Sequence, residues 1–158
     1  MSNLTYRVVC KKRLSKNIYY HICISTYPLI SKDEAIRYAN KFADDMVEVN
    51  KDYDVIRINV GAVGSSSDNN FVSHTKVINS SRNEDIADIF VYPIEQHGSD
   101  LNSIYRYRGL DIKCNETDGC LDIYGSCFKF GSTVSLDGAL MFVDSFLFAC
   151  DLQQRDNG

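Results

Sequence analysis

The chain has 158 residues, 44% hydrophobic and 24% charged, the size and balance of one ordinary globular domain that hides roughly 70% of its unfolded surface. No stretch reaches the ~18 apolar residues of a membrane span, and the first 16 residues lack the apolar centre of a secretory signal, so a soluble cytoplasmic protein with no membrane partner is expected. The net charge of −4 is uneven: the first 20 residues hold five basic side chains and no acid, and the other 138 hold 12 basic against 21 acidic.

Leu4 to Lys12 alternates Leu4, Tyr6, Val8 and Cys10 with Thr5, Arg7, Val9 and Lys11, the period of a half-buried strand. Asn17 to Ser25 alternates in the same way, and Arg13 to Lys16 between them is short enough for a hairpin loop. Pro28 stops the second strand. Ser31 and Glu34 form a capping box, which predicts a helix to Val49 burying Ala35, Ile36, Ala39, Phe42, Ala43, Met46 and Val49. The next strand, Tyr53 to Val63, carries Ile56, Ile58 and Val60 on one face.

Gly64 to Asn70 is small and polar and predicts a loop tip. Phe71 to Ile78 and Ile86 to Ile94 predict strands, with a polar break from Asn79 to Glu84 and a loop from Glu95 to Asp100. Ile104 to Cys114 alternates as a single strand, Asp118-Gly119 marks a hairpin turn, and Cys120 to Phe130 returns, interrupted at Gly125. Ser135 is the expected N-cap of a last helix to Leu152, with Leu136, Ala139, Leu140, Val143, Phe146, Leu147 and Cys150 at helical spacing.

These elements predict an α+β fold: one antiparallel sheet of six to eight strands with two amphipathic helices, 31–49 and 135–152, packed on a single face. The whole of 1–158 is expected as a single domain. The strand-strand-helix order appears twice, and so divides the chain into sub-units 1–63 and 101–153 around a loop-rich middle.

The segment Tyr107-Arg108-Gly109-Leu110-Asp111-Ile112, then Gly125, Phe128 to Phe130, and Ser135 leading into Ala139 to Asp144, resembles a pattern of small phage and prophage accessory proteins. The pattern has an aromatic-Arg-Gly strand, a second strand with a Gly-flanked aromatic pair, and a Ser-capped helix ending in an aliphatic-Asp pair. It covers about a quarter of the chain. The resemblance implies the setting of anti-CRISPR and other anti-defence inhibitors, which act by binding a host machine, and it carries no functional residue with it.

Six cysteines are present, four of them within apolar strand or helix runs, where a thiol behaves as a small buried hydrophobe. Cys114, Cys120 and Cys127 are spaced too widely for a zinc knuckle and no histidine pair completes a site, so no metal and no cofactor are expected. His21, His74 and His97 each lack a sequence neighbour that would make a base or ligand of them. Gly61 and Gly64 precede a strand rather than a helix and form no phosphate cradle.

Two charged clusters remain, and solvated surface is the ordinary reading of both. Asp44, Asp45, Glu48 and Asp52 lie on and beyond one helix face; Lys11, Lys12, Arg13 and Lys16 lie at the first hairpin tip. The expected function is a non-enzymatic inhibitor or adaptor that binds a host protein or ribonucleoprotein complex, such as a CRISPR-type machine, through these charges. Two alternatives stand beside it. One is a small enzyme modifying a host protein or nucleotide, with Tyr105, Arg106, Arg108 and a histidine around a cleft. The other is nucleic-acid binding by the basic tip, which the acidic body disfavours.

Overall fold

The computed structural model describes residues 3–15, 18–25, 28–61, 71–98, 104–125 and 128–157, without the side chains at 3, 14–15, 18–21, 23 and 151–157. The expected loop at 64–70 and the side chain of His21 lie outside these residues, as does Lys16. The fold is α+β. In order come β1 (Asn3–Ser15), β2 (Ile18–Cys23), α1 (Lys32–Val49), a 3-10 turn (Lys51–Tyr53), β3 (Val55–Gly61), β4 (Ser73–Asn79) and β5 (Glu84–His97). There follow β6 (Ile104–Tyr107), β7 (Leu110–Cys114), β8 (Leu121–Gly125), β9 (Phe128–Thr133) and α2 (Leu136–Asn157). The strand pairs for which a register is defined are all antiparallel.

The chain forms two compact units, residues 5–93 and residues 94–158 with 1–4. In the first, β1 neighbours β2 and β5, and β4 lies between β5 and β3. Ser31 caps α1 by accepting the Glu34 N–H at 3.0 Å, as the capping box requires. Ala35, Ala39 and Ala43 recur every four residues and are fully buried, and these small side chains bring α1 down on Val8, Cys10, Val55, Val77, Ala87, Ile89 and Val91. Val49, expected inside, is instead 82% exposed, because the helix has passed the edge of this core by its last turn.

β3 shows which of its two faces the helix covers, which alternation alone leaves open. Arg57 reaches the carbonyl of Asn40 and the carboxylate of Asp44, so the Val55/Arg57 side of the strand is the one under α1. Ile56, Ile58 and Val60 therefore point away from the helix and are exposed. β5 is also longer than its apolar run: Glu95 to His97, expected as loop, continue the strand by pairing with Arg106, Tyr105 and Ile104.

In the second unit, β6 to β9 form a meander, and α2 packs on β8 and β9 through Ala139, Leu140, Val143 and Asp144. Ser135 caps this helix, accepting the Gly138 N–H at 3.0 Å. The expected single strand 104–114 is two strands. Tyr107 pairs with Leu110, and Arg108 and Gly109 between them have φ of 52° and 83°, the two positive values of a type I′ hairpin turn. The alternation of apolar and polar residues continues across a two-residue turn of this kind and so conceals it.

Arg108 holds that unusual backbone because its side chain has a destination. Its guanidinium lies 2.8 Å from the Asp144 carboxylate, which also accepts the Tyr107 O–H at 2.7 Å, all of it buried. The segment 107–112 and the helix at Asp144 thus share one buried polar network, and not only packing residues. Gly125 and Gly131 have a simpler reason: a side chain at 125 would run into the Phe130 ring, and one at 131 would approach the Phe142 ring to 2.8 Å.

Candidate functional site

The acidic residues singled out in the sequence come together where α1 ends. Asn50 closes the helix, its N–H donating to the carbonyls of Met46 and Val47 and its side-chain amide to Met46 at 2.8 Å. No basic residue stands in the last turn, so Asp45 and Glu48 sit at the negative end of the helix dipole, where carboxylates are disfavoured and lysine or arginine would be favoured. Asp44 has an ion pair with Arg57 at 2.9 Å and Glu48 a long, exposed one with Lys51 at 3.5 Å. Asp45 and Asp52 have no ion pair among the described residues and face solvent.

Around these carboxylates are two apolar side chains that the core does not use, Val49 at 82% exposure and Tyr53 at 67%. Beside them is an open pocket of about 520 Å³ lined by Asn50, Asp52, Tyr53, Asp54, Val55, Asn79, Ser81, Arg82 and Ile86. Its floor is braced. The Asp54 carbonyl accepts both the N–H and the hydroxyl of Ser80 at 2.9 Å, and the Asn79 side chain accepts the Ser81 hydroxyl and the Arg82 N–H. Apolar anchors inside a polar rim, beside an open depression, have the anatomy of a protein-binding surface.

The basic residues are not gathered in the same way. Lys11 lies along β1 with its ammonium 5.1 Å from the centre of the Phe90 ring, a cation–π distance. Lys12 is exposed on the other face of the strand and Arg13 is half-buried. Alternation along β1 separates Lys12 from Lys11 and Arg13, so the described part of the hairpin presents no patch of adjacent cations.

Folding supplies one constellation that local sequence cannot show. His74 on β4 meets Asp88 on β5 at 2.8 Å, stacks on Phe90 at 4.3 Å, and receives the edge of Phe71. Lys76 lies 3.2 Å from Asp85 and 3.7 Å from Asp88. Burial raises the Asp88 pKa, but the His74 hydrogen bond and the charges of Lys76 and Lys11 outweigh it and hold the carboxyl below its ordinary value. Cys10 goes the opposite way, pushed up to about 12 by burial and by Asp88, which keeps it a protonated, inert thiol. The register of His74 against Phe90 was the signal: once β4 and β5 are paired, Asp88 falls within reach.

Three further ion pairs lie in the second half of the chain, two across neighbouring strands and one, His97 with Glu95, along β5. Arg106 pairs with Asp111 at 3.4 Å and His97 with Glu95 at 3.2 Å. Asp122 lies 3.4 Å from Lys129 and accepts from Asn115 at 3.2 Å. Its burial raises the pKa, but hydrogen bonds from Ser132, Lys129 and Asn115 and the charge of Lys129 bring it down overall. Among the described residues no three His, Cys, Asp or Glu side chains are placed to hold a metal ion, and no helix is long and apolar enough to cross a membrane. Cys10, Cys114, Cys120 and Cys150 are free thiols.

No family model matches this chain, and neither the curated proteins nor the solved structures contain a match.

Proposed function

We propose that this chain is a non-enzymatic, phage-type inhibitor or adaptor that grips a host protein or ribonucleoprotein complex through the acidic corner at the end of α1. The observation that carries the proposal is the exposed pair Val49 and Tyr53 set among Asp45, Glu48 and Asp52 at a helix end where those charges oppose the dipole. Folding gives no reason to keep them there; binding a cationic surface does. The complementary partner is a basic groove of the kind that holds nucleic acid, which the corner would occupy in its place.

The enzyme reading has less support. Of its residues, Arg108 is buried against Asp144, and Arg106 is taken up by Asp111. Affinity capture from bacterial lysate with the wild type and with Asp45→Lys/Glu48→Lys/Asp52→Lys tests the proposal. A nucleic-acid-binding partner captured by the wild type and lost by the variant supports it; equal capture of the same partner by both removes the corner from the account.

A further inference from the structure

Among the described residues β3 is hydrogen-bonded to β4 alone. Its outer edge carries no proline, a single charge, that of Arg57, and one bulge, between Asn59 and Gly61, so Val55 to Asn59 is a regular stretch with little to blunt it. On the face away from α1, Ile56, Ile58 and Val60 are 43%, 39% and 49% exposed.

The direction of the backbone groups follows from one hydrogen bond. The Asp54 carbonyl points toward β4, where it accepts from Ser80, and the trans peptide turns the Val55 N–H the opposite way. Alternation along the strand then aims the N–H and C=O groups of Val55, Arg57 and Asn59 outward. These are the groups that an added antiparallel strand would bond.

We infer that two copies of this chain associate through β3, antiparallel, about a two-fold axis at Ile58. In this register Arg57 of each copy faces Asn59 of the other across hydrogen-bonded pairs and Ile58 faces Ile58, so the exposed apolar side chains of the two copies meet at the axis. A register centred on Arg57 would set like charges directly opposite, which is unfavourable. One centred on Asn59 would set Ile58 and Arg57 opposite Val60 and Gly61, within the bulge. About Ile58 the two Arg57 side chains are diagonal neighbours, roughly 7–8 Å apart, and each brings its own Asp44 at 2.9 Å. Two guanidinium and two carboxylate groups therefore balance around the axis. The bulge between Asn59 and Gly61 ends the pairing there, so the interface is small and of the weak, concentration-dependent class.

Sedimentation of the full chain from ~10 μM to ~1 mM spans that class, comparing wild type with Ile58→Lys, whose substitution is on an exposed face and whose folding is checked by circular dichroism. The wild type should shift from monomer to dimer while Ile58→Lys stays monomeric. As a second readout, Ile58→Cys should cross-link to a covalent dimer with glutathione disulfide at least tenfold faster than Met141→Cys, an exposed control in the other unit. A wild type that stays monomeric throughout, a dimer that survives Ile58→Lys, or equal cross-linking at 58 and 141 overturns the inference. None of these outcomes depends on the acidic corner.

Discussion

Asp144 shows how much one residue can hold in a unit of this size. It accepts from Tyr107 and Arg108 together, inside the protein, and removing it takes a carboxylate away from a buried guanidinium. Asp144→Ala should therefore lower stability by about 3–5 kcal/mol, measured by urea denaturation, whereas Tyr107→Phe, which deletes one hydrogen bond, should cost about 1 kcal/mol. Equal losses would mean that the ion pair contributes no more than the hydroxyl. Cys10 and Asp88 make opposite predictions about pH. The Asp88 carboxyl is lowered on folding, so its contribution is present above the ordinary carboxylate range and fades as the solution is acidified through its folded value. The stability gap between wild type and Asp88→Asn should close below about pH 4. The Cys10 thiol is raised from 9.0 to about 12, so its contribution is intact below pH 9 and is lost between there and 12. Cys10→Ala should flatten that alkaline limb, and native Cys10 should resist thiol reagents until the protein unfolds.

At the scale of elements, α1 separates what the sequence can specify from what it cannot. The capping box and the four-residue alanine spacing fixed both its start and its buried face, since each depends on contacts within one turn or two. Its acidic end was readable as a charged contact surface, but the exposed Val49 beside it was not, because Val49 reads as core by periodicity and only the position of the underlying strands leaves it outside. The same limit applies to β3, where alternation names the two faces without saying which of them α1 covers. The type I′ turn at Arg108-Gly109 was hidden for a different reason: arginine is rare at positive φ, and its place there depends on Asp144, 36 residues away. The His74–Asp88 pair likewise exists only across strands. One prediction belongs to this scale. Asp45→Lys replaces a dipole-opposed charge with a favoured one and should raise stability by ~0.3–1 kcal/mol while weakening partner capture, a combination expected of a binding residue and not of a structural one. A destabilised Asp45→Lys would contradict it.

For the whole molecule, the proposed class of partner rests on the charge pattern. The chain is acidic overall, 12 of its 17 cations are spread over the last 138 residues, and Lys11 lies against the Phe90 ring, all of which favours the acidic corner as the proposed contact surface. Capture driven by exposed carboxylates should weaken as salt shortens the screening length from ~10 Å at 0.1 M to ~3 Å at 1 M, while the apolar contribution of Val49 and Tyr53 persists. The most direct test places a photo-cross-linking amino acid at position 53 and irradiates the protein in bacterial lysate. The cross-linked partner should be a nucleic-acid-binding protein or complex, and added nucleic acid should suppress the adduct in proportion to the groove it fills. An adduct that nucleic acid leaves unchanged, or one formed equally well after Asp45→Lys/Glu48→Lys/Asp52→Lys, would contradict the account.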